Sequence, residues 1–161
     1  THHCYGDIAM MRLIPNMQVF EPSTPREFRT LFEKTWGNGL PKYFRLSKEQ
    51  HSQNFDVEPE VMKVVLESPK VGVIYVPTLS HVTNESCLQI KKLIENAKKI
   101  YSVENHFTIG GLGDFVSETF GVSVQRIGLE RKFLTNYGSF SNLRQDAKLD
   151  KRSIIHKLSW I

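Results

Sequence analysis

Helix and strand signals alternate through the first fifty residues, and this alternation restricts the fold more than any other feature of the chain. Thr24-Pro25-Arg26-Glu27 is a strong helix start. Thr24 can cap, Pro25 suits the first helical position, and Glu27 completes a capping box. Phe28, Leu31, Phe32 and Thr35 then set an apolar stripe at helical spacing, and Gly37-Asn38-Gly39 ends the helix. Before it, Asp7 to Leu13 reads as a short helix stopped by Pro15, because the residue preceding a proline avoids the helical region. Met17 to Phe20 reads as a strand entering the Glu21-Pro22-Ser23-Thr24-Pro25 turn, and Lys42 to Leu46 as the next strand. Such alternation is the mark of an α/β layer with a parallel sheet.

The second half repeats the pattern. His51 to Pro59 is polar and aperiodic and reads as a linker, and Val61 to Glu67 is helical in composition. Val71 to Val76 is expected as a buried strand. Asn84 can cap a helix with a core stripe of Ile90, Leu93, Ile94 and Ala97, and Ile100 to Val103 is expected as the next strand. Gly110-Gly111 precedes a helix over Leu112 to Phe120, followed by a strand over Val122 to Ile127. From Ser141 onward the tail is expected to be helical, with Leu143, Ile154, Ile155 and Leu158 facing inward. Ser68-Pro69-Lys70 runs abruptly into Val71.

With 161 residues, 40% hydrophobic and 24% charged, the chain has the bulk of one globular domain or two small ones. No apolar run approaches the roughly 20 residues of a membrane helix, and no segment has a signal-peptide layout. Cys4 and Cys87 lack CxxC spacing, so reduced thiols in a cytoplasmic protein are expected. The net charge of +4 is mild. Lys91-Lys92 and Lys98-Lys99 read as a solvated helix face and not as a nucleic-acid patch, although the sign would suit an anionic substrate. His2, His3 and Cys4 are the densest set of potential ligands, but adjacent residues suit one tetrahedral ion poorly, and no metal site is expected.

Two motifs carry a family resemblance. Thr1-His2-His3-Cys4-Tyr5-Gly6-Asp7, with the helix to Leu13 and then Pro15-Asn16, resembles a motif of the transketolase superfamily of thiamine-diphosphate enzymes. Glu104 to Gly113, with Gly110, Gly111 and Gly113, resembles the strand-to-helix turn of that family's C-terminal domain. Arg126-Ile127-Gly128 and Phe133 to Gly138 extend the second likeness, with Tyr137 bulkier than the family's usual small residue. The resemblance makes His2 the functional histidine, facing carbonyl or hydroxyl groups of the donor, a task suited to imidazole near neutral pH. Leu46-Ser47-Lys48 is similar to a strand-end element in which family members bind a sugar phosphate through arginine. Lys48 keeps the charge without the planar fork, and Arg45 can share the task. Asp7 is expected to open its helix, Arg12 to be structural, and the glycines to allow close packing. His106 is expected near a subunit interface, without a catalytic role.

The resemblance implies an α/β fold with a mainly parallel sheet. Residues 1–55 are expected as the C-terminal part of a pyrimidine-binding domain, 56–70 as a linker and 71–161 as a transketolase C-terminal domain, with a strand-helix unit missing near 68–71. It implies one subunit of a split transketolase that transfers a two-carbon ketol unit from a ketose to an aldehyde. Thiamine diphosphate and Mg2+ or Ca2+ are expected on the diphosphate-binding-domain subunit, with the cofactor-contacting glutamate upstream of Thr1, and such pairs are expected to dimerise. The substrate is expected to be a sugar or sugar phosphate, with no nucleic-acid or membrane partner. The alternatives are a deoxyxylulose-phosphate synthase-like carboligase and a non-catalytic regulatory or assembly subunit.

Overall fold

The computed structural model describes residues 4–47, 55–67, 71–132 and 139–158. Along the chain come α1 (Asp7–Arg12), β1 (Gln18–Phe20), α2 (Pro25–Thr35), β2 (Lys42–Phe44), β3 (Lys63–Glu67), β4 (Gly72–Tyr75) and α3 (Asn84–Glu95). Then follow β5 (Tyr101–Phe107), α4 (Leu112–Phe120), β6 (Gln125–Leu129), α5 (Phe140–Asp146) and α6 (Lys151–Leu158). The result is a mixed α/β fold in which β1 pairs with β2, and β5 with β6, in parallel. Each pair is joined through a helix, as a parallel crossover requires.

β1 is buried along its whole length, with β2 on one side in the register Gln18↔Lys42 to Phe20↔Phe44. On the other side, Glu21 N–H donates to the Pro77 carbonyl (3.0 Å) and Leu79 N–H to the Val19 carbonyl (2.9 Å). A distant segment therefore closes the edge of β1. The crossover helix α2 starts as the sequence indicates: Thr24 caps by accepting from Glu27 N–H (3.2 Å), and Pro25 follows. The Glu27 carboxylate does more than a capping box asks. It accepts from Ser23 N–H (2.7 Å), Phe55 N–H (2.9 Å) and the Tyr75 hydroxyl (2.8 Å), tying the start of α2 to two later segments. Leu31 and Thr35 are buried, whereas Phe32 is 46% exposed, so the inward stripe is narrower than its spacing suggests.

α4 spans the expected residues. Gly121 terminates it in the left-handed region (φ +66°), a conformation that glycine adopts without steric cost. β5 runs to Phe107, four residues beyond the expected end, and thereby places Glu104 and His106 on a strand. The C-terminal helix is broken in two, with Lys148 at φ +54° between α5 and α6. Ile154 and Leu158 pack on Ile127, Leu129 and Leu149, but Ile155 is exposed, contrary to the expected inward face. Phe133 to Gly138 lie outside the described residues.

The middle of the chain differs most from its sequence reading. Val61 to Glu67, helical in composition, contains a strand: β3 pairs antiparallel with β4, Lys63 opposite Tyr75 and Val64 opposite Ile74. The β-branched Val64 and Val65 suit a pleated strand, and cross-strand pairing overrides the weak helical preference of their neighbours. Val57 and Met62, within the stretch read as a linker, are buried. β4 is half-buried at best, with Val71 and Val73 exposed where a buried strand was expected. Ile8, Val19, Met62, Leu79, Val82, Ile90, Ile94 and Phe115 form one core drawn from both halves of the chain. Each such side chain contributes about 1.5–3 kcal/mol through burial. Among the described residues, no helix is long and apolar enough to cross a membrane.

Candidate functional site

The ends of β2 and β5 meet beside α1, and the polar side chains gathered there come from both halves. Tyr43 on β2 and Arg45, one residue past its end, are two residues apart and so project to the same side of the extended chain. Both meet Asp7, the first residue of α1. The Tyr43 hydroxyl donates to Asp7 Oδ2 (2.6 Å), and Arg45 Nε lies 3.4 Å from the same oxygen. Arg45 Nη1 is 3.7 Å from Glu21 Oε1, and Nη2 donates to the Asn105 carbonyl at 2.9 Å. One guanidinium thus joins two carboxylates of the first half to the backbone of β5.

The electrostatics follow from burial. The Tyr43 phenol is pushed up to about 12, first by desolvation and then by its bond to Asp7, so it stays a donor at neutral pH. Desolvation also raises the Glu21 carboxyl, with Arg45 opposing the shift. Asp7 Oδ1 and Arg45 Nη1 are buried with no hydrogen-bond partner among the described residues. Buried polar atoms are normally satisfied, so spare bonding capacity at the end of a strand is where a ligand or another segment finds partners.

A second arginine joins the halves from α1. Arg12 Nη1 donates to the carbonyls of Gly110 (2.8 Å) and Gly111 (3.1 Å). Its other amine pairs with Glu118 at 2.6 Å, and the guanidinium sits over the Phe115 ring at 5.3 Å. This agrees with the structural role expected of Arg12.

On β5 the buried polar group is Glu104. Its Oε1 accepts from the Ser102 hydroxyl (2.7 Å) and Gly113 N–H (3.3 Å), and its Oε2 from Leu112 N–H (2.8 Å). The carboxylate therefore caps α4 from a neighbouring strand and satisfies amides that a helix start leaves free. Burial raises its pKa, against the pull of these donors and of Arg126. His106 is sealed inside the chain with 1% of its surface exposed. Its Nδ1 is 3.0 Å from the Phe107 carbonyl and 3.4 Å from Glu104 Oε2. The shorter contact is the hydrogen bond, and desolvation lowers the imidazole pKa, keeping the ring neutral. The glycine turn closes over this pair. A Cβ on Gly111 would stand 2.3 Å from both Glu104 Oε2 and His106 Cε1, and one on Gly110 would stand 2.5 Å from Ala9 Cβ.

Of the residues singled out in the sequence, Arg45 lies in this centre, while His2 and Lys48 lie outside the described residues. Tyr43 and Glu21 were missed, and Asp7 was read only as a helix opener. The alternation of Tyr43 and Arg45 on one strand face was the available signal. Among the described residues, no three His, Cys, Asp or Glu side chains are grouped to hold a metal ion.

Known proteins bear on this arrangement. Residues 1–53 match the transketolase pyrimidine binding domain family. An apulose-4-phosphate transketolase subunit of Actinobacillus succinogenes is 24% identical over 190 aligned positions, covering 96% of this chain and 60% of that protein. A 1-deoxy-D-xylulose-5-phosphate synthase of Thermus thermophilus is 25% identical over 186 positions, covering 96% of this chain and 29% of that enzyme. A solved split-gene transketolase, described as an inactive β4 tetramer, superposes with a TM-score of 0.82 at 22% identity, over 96% of this chain and 61% of that one. The chain thus spans less than two thirds of the length of these relatives. Both alignments are longer than the 161 residues here, so the relatives carry positions with no counterpart in this chain. Residues 1–53 are thus similar in sequence to a transketolase pyrimidine binding domain, and the chain shares its mixed α/β fold with the solved split-gene transketolase.

Proposed function

We propose that this chain is the pyrimidine-domain subunit of a split, thiamine-diphosphate-dependent transketolase that moves a two-carbon ketol unit from a ketose donor to an aldehyde. The observation that carries the reading is the family match over residues 1–53, the stretch that holds His2, α1, β2 and Lys48. Residues 1–55 act as the C-terminal part of a pyrimidine-binding domain. Residues 71–161 form the C-terminal domain, and 56–70 connect the two, with a strand-helix unit of the family missing near 68–71. The length excess of the alignments supports a missing unit.

The described residues do not fit the cofactor's metal-bound diphosphate: no ligand group is present among them, and the buried carboxylates of Glu27 and Glu104 are spent on internal donors. We therefore assign thiamine diphosphate and its Mg2+ or Ca2+ to a diphosphate-binding partner subunit, in pairs that dimerise. The apulose-4-phosphate transketolase relative is named as one subunit of its enzyme, and the structural neighbour is described as split-gene; both support a partner. The cofactor supplies the nucleophilic carbon that carries the two-carbon unit.

This chain's residues position the sugar. The His2 imidazole holds a carbonyl or hydroxyl of the donor and exchanges a proton with it. Lys48 meets the distal anion as a point charge. Arg45, fixed by Asp7, Glu21 and the Asn105 carbonyl, sets the direction of the strand end that precedes Lys48 and adds positive charge for the same anion. Replacing His2 with Ala in the reconstituted enzyme is expected to lower turnover by about 10²–10⁴-fold, the usual range for a lost acid-base contact, with cofactor affinity nearly unchanged. Steady-state kinetics beside a cofactor titration check this, and an unchanged rate removes His2 from the site.

A further inference from the structure

A second cavity lies at the opposite end of the β5–β6 pair from the glycine turn. Its volume is about 360 Å3, within the range of small-molecule sites. The last turn of α3 contributes Lys91, Ile94 and Glu95. The connection into β5 contributes Lys98, Lys99 and Ile100, and the region after α4 contributes Val122 and Ser123, with Phe120 at the helix end. Ile94 is buried, and Ile100, Phe120 and Val122 are half-buried, giving the cavity an apolar floor.

The rim is cationic beyond what the fold requires. Glu95 is the acidic residue of the lining, and Lys91 pairs with it at 3.9 Å. Lys98 and Lys99 have no ion pair or hydrogen bond among the described residues, so two positive charges are uncompensated. They are not needed to finish the helices. The Asn96 side chain takes the Lys92 carbonyl (2.9 Å), Ala97 N–H takes that of Ile94 (3.0 Å), and Gly121 N–H takes that of Ser117 (2.9 Å). These lysines read in sequence as a solvated helix face, yet the fold sets two of them at the rim of a ligand-sized hollow floored by Ile94, Ile100, Phe120 and Val122.

We propose that this cavity binds a small amphiphilic anion, a phosphate monoester bearing a flat apolar group, with the phosphate between Lys98 and Lys99 and the apolar group against Ile94, Ile100 and Phe120. An apolar floor under unpaired cations recognises both parts of such a molecule, and neither inorganic phosphate nor a neutral aromatic satisfies both. The site does not depend on the proposed ketol transfer, since it stands apart from Asp7, Arg45 and the end of β2.

Amide chemical-shift titration of the full chain with phenyl phosphate, and separately with inorganic phosphate, tests the assignment. Phenyl phosphate is expected to shift the amides of Ala97 to Ile100 and Val122 to Ser123 and to bind at least tenfold more tightly than phosphate. The double variant Lys98→Gln/Lys99→Gln should weaken phenyl phosphate at least tenfold while keeping a dispersed spectrum. Phe120→Leu should weaken phenyl phosphate and leave the phosphate titration as it was. Equal affinity for the two probes would reduce the site to a diffuse basic surface and overturn the proposal. So would shifts centred elsewhere, no binding at millimolar probe, or affinity unchanged in the double variant.

Discussion

The end of β2 is held by full charges, and β5 is held by a carboxylate spent on backbone amides. Arg45 faces Asp7 and Glu21, and this centre keeps two buried atoms, Asp7 Oδ1 and Arg45 Nη1, without hydrogen-bond partners among the described residues. Glu104 uses both oxygens on Ser102, Leu112 and Gly113, and the glycine turn fills the space above it. The first arrangement can still bond to something; the second is saturated. Perturbed carboxyl pKa values occur in both, so the shifts alone would not separate a ligand-facing centre from a structural one. What differs between the two is the bonding capacity left over.

The contrast can be broken by removing the central group of each. Arg45→Met leaves the buried Asp7 and half-buried Glu21 carboxylates without their shared cation and releases the Asn105 carbonyl. It is expected to destabilise the chain by about 3–5 kcal/mol, the range for breaking a buried ion pair from one side. Urea unfolding measures this, and a loss below about 1 kcal/mol, the level of an exposed pair, would mean that Arg45 is not a clamp between the halves. Glu104→Ala strands the amides of Leu112 and Gly113 and the Ser102 hydroxyl. Unsatisfied buried groups cost about 1–3 kcal/mol each, and partial hydration of the helix start limits the expected total to about 2–4 kcal/mol. The same unfolding series reads it, and a neutral effect would show that α4 does not rely on its strand-borne cap.

The smallest effect is in the pH dependence. His106 has a folded-state pKa below its ordinary 6.5 because burial penalises the charged ring. Its contribution to stability is fully present above pH 6.5 and is lost as the pH falls through the depressed folded value. Unfolding free energy should therefore decline more steeply below pH 6.5 in the native chain than in His106→Gln. The raised carboxyls Glu21 and Glu104 favour the opposite trend, their contribution being lost as the pH rises through their folded values, but they are common to both proteins. Superimposable pH profiles would show that His106 is not sealed away from water.

The parts legible in the sequence were those encoded by neighbours. α2 and α4 could be placed from Thr24-Pro25 and from Gly110-Gly111, because caps and glycine turns act within a few residues. β3 could not, since Val64 and Leu66 become strand residues by pairing with Ile74 and Val73, and composition does not report a partner. The site divides in the same way. Arg45 was visible three residues before Lys48, but its role rests on Asp7, Glu21 and Asn105, which only the tertiary fold brings to it. Glu27 looked like an ordinary cap residue because its other partners, Phe55 and Tyr75, lie far along the chain.

The central proposal is that the cofactor is held by a diphosphate-binding partner and not by this chain alone. Isothermal titration with thiamine diphosphate and Mg2+ tests it most directly, first on the chain alone and then on the chain mixed with its diphosphate-binding partner. The account predicts no metal-dependent binding to the chain alone and stoichiometric, metal-dependent binding to the mixture. Tight metal-dependent binding to the isolated chain would contradict it.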